Sequence, residues 1–235
     1  MRRILVVRAG SPTPEALRRF GDFSEWFERL LAPEVVVIDA VRGEPFPGMD
    51  RIGGVIVTGS AESLTEPRPW MERTGRWLLA VARSTPVLGV CFGHQLLAAA
   101  LGGVVERQPG GPEVGTGDVE LTAAGRRDPL FAGVESPLLV QQNHEDHVPA
   151  PPPGAEVLAR NDRSPVQAFA HGPNVRAVQF HPEFNAQRNR ALCRESRAAL
   201  EAVRPGLTEA ALSSIRETPA AERVLANWVR AYVGA

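Results

Sequence analysis

Short, uninterrupted apolar runs divide the first ninety positions of the chain. Four of them, at 4–7, 35–38, 54–57 and 86–90, are rich in valine, isoleucine and leucine and contain no charged residue. Runs of this length without apolar–polar alternation are typical of strands buried on both faces of a parallel sheet. The pattern therefore predicts four buried strands.

Apolar positions at helical spacing lie between these runs. In 15–31 they recur every three or four residues, which predicts a helix that Gly21 interrupts. A second helical stripe, which runs from Trp70 to Val81, begins just after Pro69. Strands that alternate with helices favour an α/β sheet with helices on its faces.

The middle of the chain has a different sequence pattern, in which glycine and proline separate short apolar segments. These segments predict antiparallel strands added to the same domain, and the proline-rich 149–154 predicts a stiff loop among them. The strand candidates are 104–105, 119–121, 138–140, 157–158, 167–170 and 175–180.

The last fifty residues have a helical pattern, with an arginine-rich helix in 188–203 and a final helix that opens at Pro219. We therefore expect one domain over 1–235, made of an α/β core in 1–184 and a helical C-terminal extension in 185–235.

The amino-acid composition excludes several classes of binding partner and of catalytic chemistry. The 26 basic side chains, all arginine, nearly balance the 27 acidic ones, so no strong field for nucleic acid or membrane surfaces is expected. The absence of lysine excludes a lysine Schiff base and a Walker-type phosphate loop. Two cysteines are too few for a disulfide framework, and the N-terminal apolar run is far shorter than a signal peptide requires. We expect a cytoplasmic protein.

The stretch 86–103, PVLGVCFGHQLLAAALGG, carries the strongest chemical signal. A buried strand leads into a glycine–X–cysteine–X–glycine turn around Cys91, and an apolar helix follows, as in a nucleophile elbow. Glycines at 89 and 93 relieve the crowding of such a turn, and the helix N-terminus stabilises a thiolate. A lone cysteine is more often a small buried hydrophobe, and we assign that structural role to Cys193.

A cysteine nucleophile needs a base, and His181 is the best candidate. It follows the apolar run 175–180, and Glu183 lies two residues later, on the same side of an extended segment, where its carboxylate can orient the imidazole. A surface His-Pro-Glu turn is the alternative. We expect His94 to pack locally within the elbow helix. His144 with nearby His147 is too small a set to predict a metal site.

Taken together, these motifs resemble the class I, or triad-type, glutamine amidotransferases, and most of all the stand-alone GMP synthase-like subgroup related to γ-glutamyl peptidases. The resemblance covers 53–184 and is specific because its motifs occur in order. They are Val57-Thr58-Gly59-Ser60, the elbow GVCFGHQLLAAALGG, Glu113 with Gly115 ahead of Val119-Glu120-Leu121-Thr122, His144 to Asp146, and QFHPEF.

The resemblance implies a flavodoxin-like, open, mostly parallel sheet and a Cys91 nucleophile. It also implies His181 as general base and acid, oriented by Glu183, and an oxyanion hole formed by the N–H groups of Gly59 and Phe92. The substrate side is implied to involve Gln95 and the segment His144 to Asp146. That segment usually reads His-Gly-Asp in the family, whereas Glu145 replaces the glycine here.

The implied chemistry is hydrolysis of the side-chain amide of glutamine, or of a γ-glutamyl bond, through a cysteine thioester, with no cofactor or metal. The fate of the ammonia stays open. Fewer than about sixty residues follow Glu183, too few for an ATP-using acceptor domain. A separate synthetase subunit would have to accept the ammonia, or the protein hydrolyses a γ-glutamyl compound alone.

Two other interpretations compete with this one. A cysteine-type α/β-hydrolase, such as a dienelactone hydrolase, shares the elbow but supplies its acid well before its histidine. An aspartate against His181, in place of Glu183, would favour that enzyme. The second alternative is a non-catalytic, amidotransferase-like subunit that regulates a partner, although such a subunit has no need to keep Cys91, His181 and Glu183.

Overall fold

The structure, a computed structural model, describes residues 3–31 and 34–234. Its strands are β1 (Arg3–Arg8), β2 (Val35–Asp39), β3 (Ile52–Val57), β4 (Val87–Val90), β5 (Glu106–Arg107), β6 (Glu113–Leu121), β7 (Leu138–His144), β8 (Asp146–His147), β9 (Ala155–Arg160), β10 (Ala168–His171) and β11 (Val175–Val178). Its α-helices are α1 (Pro14–Phe20), α2 (Phe23–Glu28), α3 (Pro69–Val81), α4 (Phe92–Ala100), α5 (Ala186–Glu195), α6 (Arg197–Val203), α7 (Leu207–Ser214) and α8 (Pro219–Trp228).

Nine strands form one sheet in the order β2-β1-β3-β4-β11-β10-β9-β6-β7. The first five are parallel to their neighbours, and β10, β9, β6 and β7 continue the sheet antiparallel. The order 2-1-3-4 followed by one further parallel strand is that of the flavodoxin-like folds. The predicted α/β class, with added antiparallel strands and a helical C-terminal segment, is confirmed.

The core lies on both faces of the parallel strands. In β1, Leu5 and Val7 pack with α3 and α4, whereas Ile4 and Val6 pack with α2 and α8 on the opposite face. All four side chains are fully buried. Alternate residues of a strand point to opposite faces, so a strand covered by helices on both sides has to be apolar throughout.

Local differences from the predicted elements have identifiable causes. The helix predicted over 15–31 is two helices, because the chain turns at Gly21 and Asp22 then caps α2. The strand predicted at 104–105 is wrong: the pairing begins at Glu106, and Val104 is 59% exposed. The predicted loop at 149–154 does connect two strands. None of the helices in 3–31 and 34–234 has the length and apolar character needed to cross a bilayer.

The C-terminal helices pack directly on the sheet. In α8, Trp228 lies so close to β3 that a Cβ added to Gly54 would be 2.7 Å from the indole ring. In α7, the Ser214 hydroxyl accepts a hydrogen bond from the N–H of Thr116 in β6. The segment is therefore part of the same packed body as the sheet.

Candidate active site

Cys91 occupies a strained turn between β4 and α4. Its φ of +52° makes it the one non-glycine residue with positive φ in the described part of the chain. Such a conformation costs energy and is found mainly where function requires it. A Cβ added to Gly89 would lie 2.4 Å from the carbonyl oxygen of Gly93, and one added to Gly93 would lie 2.4 Å from that of Val57. The turn therefore requires both glycines, as the sequence predicts.

His181 emerges at the same edge of the sheet. It follows β11, which is the parallel neighbour of β4, and Val178 pairs with Val90 at the ends of the two strands. The N–H of Cys91 donates to the carbonyl oxygen of Val178 over 2.9 Å. Carboxyl ends of adjacent parallel strands lie side by side, so the fold itself brings positions 91 and 181 together.

The backbone at Gly59, just after β3, lies close to both of these side chains. A Cβ added there would be 2.9 Å from Cε1 of His181 and 3.7 Å from Cβ of Cys91. Phe92 is the first residue of α4, where a backbone N–H has no carbonyl one turn earlier to bond with. The two residues that the resemblance assigns to the oxyanion hole thus both lie next to Cys91.

The imidazole of His181 is held on both its edge and its face. Its Nδ1 lies 2.8 Å from Oε1 of Glu183, and its ring stacks on Phe184 with the ring centroids 3.8 Å apart. Burial lowers the pKa of His181, but the charges of Cys91 and Glu183 outweigh it and raise this pKa to about 10. The ring is therefore an imidazolium at neutral pH.

A cavity of about 210 Å³ opens over Cys91, and we call it the Cys91 cavity. One wall is the segment 143–146, whose Asp146 carbonyl oxygen accepts from Nε2 of Gln95 at 2.9 Å and lies 2.9 Å from Nδ1 of His144. Ser63, which also lines the cavity, donates to the Asp146 carboxylate. The cavity is lined by Ser60, Ala61, Glu62, Ser63, Cys91, Gln95, Arg107, Asn143, His144, Glu145, Asp146 and Ser196.

A second histidine–carboxylate pair lies behind this wall. Nε2 of His144 is 3.2 Å from Oε2 of Glu113, and both side chains are buried. Burial raises the pKa of Glu113. His144 and an amide N–H of Asn161 lower it by more than burial raises it, so the pKa lies below its usual value. Glu113 therefore stays ionised and ties β6 to the wall of the cavity.

Sequence reasoning missed the ion pair at the mouth of the cavity. Arg107 pairs with Glu145 and reaches Asp146, with its Nε 3.4 Å from Oδ1. Both Arg107 and Glu145 are about half exposed. The signal that was available is Glu145 itself, which stands where the resemblance expects a glycine and adds a carboxylate beside the Cys91 cavity.

The remaining candidates from the sequence lie apart from this chemistry. His94 is completely buried, and burial, aided by the charge of His144, lowers its pKa to about 3. Burial raises the pKa of Cys193 to about 11, so its thiol is unreactive at neutral pH. His147 lies 3.4 Å from Glu106. Across 3–31 and 34–234, no three histidine, cysteine or acidic side chains converge as metal ligands would.

A larger cavity, of about 670 Å³, lies between α3 and α4. Its lining contains none of the predicted site residues and is mostly apolar, with Leu64, Met71 and Leu96 among its members. Cys91, Gln95, His144 and Asp146 instead line the smaller, polar Cys91 cavity.

The chain is similar to known proteins in sequence and in fold. The family profile described as glutamine amidotransferase class-I matches residues 34–196. The GMP synthase [glutamine-hydrolyzing] of Pyrobaculum aerophilum is 36% identical over 186 residues, which are 79% of this chain and 33% of that protein. The chain thus spans about a third of the length of that relative.

Two further proteins match over most of both lengths. Gamma-glutamyl peptidase 4 of Arabidopsis thaliana is 28% identical over 193 residues, 78% of this chain and 76% of the relative. The crystal structure of a glutamine amidotransferase from Thermotoga maritima has a TM-score of 0.80 at 22% identity and covers 100% of this chain and 99% of its own, so the two share a fold. The chain belongs to the class I glutamine amidotransferase family.

Proposed function

We propose that this chain hydrolyses the side-chain amide of glutamine, or a γ-glutamyl bond, through a thioester on Cys91. One observation carries the proposal: a strained cysteine at the end of β4 lies beside an imidazolium at the end of β11 that Glu183 orients. The names of the relatives, a glutamine-hydrolysing synthase and a γ-glutamyl peptidase, support the same substrate class.

Acylation begins with attack of the Cys91 thiolate on the γ-carbonyl carbon. The carbonyl electrons move to oxygen, and the N–H groups of Gly59 and Phe92 stabilise this oxyanion. Collapse of the tetrahedral intermediate breaks the C–N bond, while His181 gives its proton to the departing amine. The products of this half are a γ-glutamyl thioester and a neutral His181.

Deacylation uses the same groups in the opposite protonation state. Neutral His181 removes a proton from water, and the hydroxide formed attacks the thioester carbon. The intermediate expels the Cys91 thiolate and releases glutamate, which leaves His181 protonated again. Glu183 keeps the ring oriented in both halves, and the chemistry needs no cofactor.

The glutamyl end of the substrate occupies the Cys91 cavity in this proposal. Gln95 and His144 both hold the carbonyl of Asp146, so their role is to shape the wall against which the α-amino and α-carboxylate groups rest. The carboxylate of Asp146 lines the same cavity and suits the α-ammonium group.

We also propose the domain boundaries, the cellular compartment and the partner of this chain. We place the whole chain in one amidotransferase domain, with 1–184 as the catalytic core and 185–235 as an extension, and we propose the cytoplasm because the Cys91 thiol must stay reduced. A separate synthetase subunit is proposed as the acceptor if ammonia is used, since a GMP synthase is among the relatives.

The test is glutamate release by the purified chain, with glutamine and γ-glutamyl peptides as substrates. Cys91→Ala should lower the rate at least about 1000-fold, as expected when a nucleophile is removed. Cys193→Ala is the matched control, because its thiol is buried and neutral, and it should keep the rate of the parent. Activity that survives in Cys91→Ala refutes the proposal.

The competing interpretations make different predictions in the same assay. Glu183, not an aspartate, lies against His181, which is the arrangement that disfavours the α/β-hydrolase. A non-catalytic regulatory subunit would release no glutamate in the presence of any partner.

A further inference from the structure

We propose that the amine released by this enzyme is that of an amino acid or peptide, and that ammonia from glutamine is the poorer product. This inference rests on the proposed function and specifies its substrate class as γ-glutamyl amino acids and peptides. It comes from how cavities are distributed around Cys91 and His181.

Two cavities meet at the reacting centre from different sides. The Cys91 cavity has Cys91 but not His181 in its lining. A second cavity, of about 110 Å³, has His181 but not Cys91, and we call it the His181 cavity. They share Ser60, Ala61, Asn143 and Ser196. Because His181 protonates the departing amine, the acyl part of a bound substrate lies in the first cavity and the leaving group in the second.

The His181 cavity is larger than ammonia requires. Ammonia is about the size of water, whose share of liquid volume is about 30 Å³, whereas the cavity measures about 110 Å³. Through Ser11, Ser60 and Ala61 it adjoins a third cavity of about 410 Å³, the Arg8 cavity. A leaving group of several non-hydrogen atoms has room to extend from the scissile nitrogen along this path.

The residues that line the His181 cavity indicate which kind of leaving group fits there. Next to His181, the wall is formed by the rings of Phe23 and Phe184 and by Leu192, which suits a small apolar side chain. Thr13 also lines this cavity, and its hydroxyl is buried without a hydrogen-bond partner among the described residues. An unpaired buried hydroxyl is costly, and a ligand carbonyl or carboxylate would satisfy it.

The Arg8 cavity supplies charges of both signs further along. Arg8 forms ion pairs there with Asp22 and Asp39, and Arg42 lies at the exposed rim with its Nε 3.4 Å from Asp39. A polar or zwitterionic end fits this surface, whereas a purely apolar amine does not. Apolar walls next to the bond and charged walls beyond it match an amino acid or a short peptide.

The experiment compares kcat/KM of the purified full chain for γ-glutamyl-leucine and for glutamine, measured as glutamate release. We expect kcat/KM for γ-glutamyl-leucine to exceed that for glutamine at least tenfold. A ratio below ten overturns the inference while leaving the proposed function in place. If neither compound yields glutamate, the proposed function fails as well, so the two failures are distinguishable.

Two variants locate the preference in the His181 cavity. Thr13→Phe fills it and should lower the ratio of the two kcat/KM values at least tenfold, whereas Ser84→Phe, an exposed change beyond the far end of α3, should keep the ratio of the parent. Thr13→Val keeps the shape and removes only the hydroxyl, so it tests the contact even if Thr13→Phe does not fold. It should lower the ratio about threefold or more. A ratio unchanged in either folded Thr13 variant overturns the inference.

Discussion

Nδ1 of His181 lies 2.8 Å from Oε1 of Glu183, and both side chains are buried beside Cys91. Burial alone would make the imidazole a weaker base. The adjacent negative charges of Cys91 and Glu183 more than compensate, and the pKa of His181 rises to about 10. The ring therefore holds its proton at neutral pH, which is the state that the proposed protonation of the departing amine requires.

Glu183→Gln should shift the pH profile and slow the reaction. In the parent, activity should persist on the alkaline side until the pH approaches 10, where His181 loses its proton. Without the Glu183 charge the pKa of His181 in the free enzyme falls, so the alkaline limb of kcat/KM moves to lower pH, and kcat drops about 100-fold or more. Glu72→Gln, an exposed change on α3, is the control. An alkaline limb that does not move in Glu183→Gln contradicts the assignment.

Glu113→Gln should weaken substrate binding more than it slows the chemistry. The change removes the charge 3.2 Å from His144 and loosens the wall of the Cys91 cavity. We expect KM for glutamine to rise about tenfold and kcat to fall less than threefold, in steady-state assays. Glu120→Gln, on the exposed side of the same strand, should change neither. A loss confined to kcat would mean that the pair acts on the chemistry and not on the wall.

His94 should make the protein sensitive to acid. Burial lowers its pKa to about 3 in the folded chain. The unfolded chain therefore binds a proton near pH 6.5, whereas the folded chain stays unprotonated there. Stability is therefore lost as the pH falls below about 6.5, by roughly 3 kcal/mol at pH 4. His94→Gln should reduce this loss, measured by denaturant unfolding at pH 7 and pH 4. Equal losses in parent and variant would exclude His94 as the cause.

Asp128→Asn should destabilise the fold without touching the site. The Asp128 carboxylate lies 2.8 Å from Nε of Arg176 and accepts from the Tyr232 hydroxyl, also at 2.8 Å, which ties the C-terminus to β11. Removing one partner of a buried pair costs about 3 kcal/mol or more. Glu209→Gln, which breaks an exposed pair with Arg197, should cost less than about 1 kcal/mol. Urea unfolding measures the free energy of unfolding of both variants. Similar losses in Asp128→Asn and Glu209→Gln would contradict this prediction.

The sequence predicted the parts of the site that depend on local pattern. Strands buried on both faces have to be continuously apolar, so β1, β3 and β4 are readable from hydrophobicity alone. The same pattern also locates β2, although this edge strand is only partly buried over 35–37. The elbow is readable because close backbone approach at positions 89 and 93 demands glycine. The choice of Cys91, His181 and Glu183 as candidates follows from strand ends and short spacing, without any long-range information.

Other parts depend on contacts between distant segments and leave little trace in a single sequence. Glu113 and His144 lie on different strands, and their pairing follows from the antiparallel register of β6 with β7. Arg107 meets Glu145 only because β5 pairs with β8, and a two-residue strand has no periodicity to detect. The cavities beside His181 form between loops whose positions the whole fold decides.

The most direct test of the central claim is covalent labelling of the full chain by an electrophile that mimics glutamine, followed by intact-mass measurement at neutral pH. We predict one adduct per chain, retained in Cys193→Ala and abolished in Cys91→Ala, with labelling at least tenfold slower in Glu183→Gln. Labelling that is absent, or that is equally fast in Cys91→Ala, would contradict the account of Cys91 as the nucleophile.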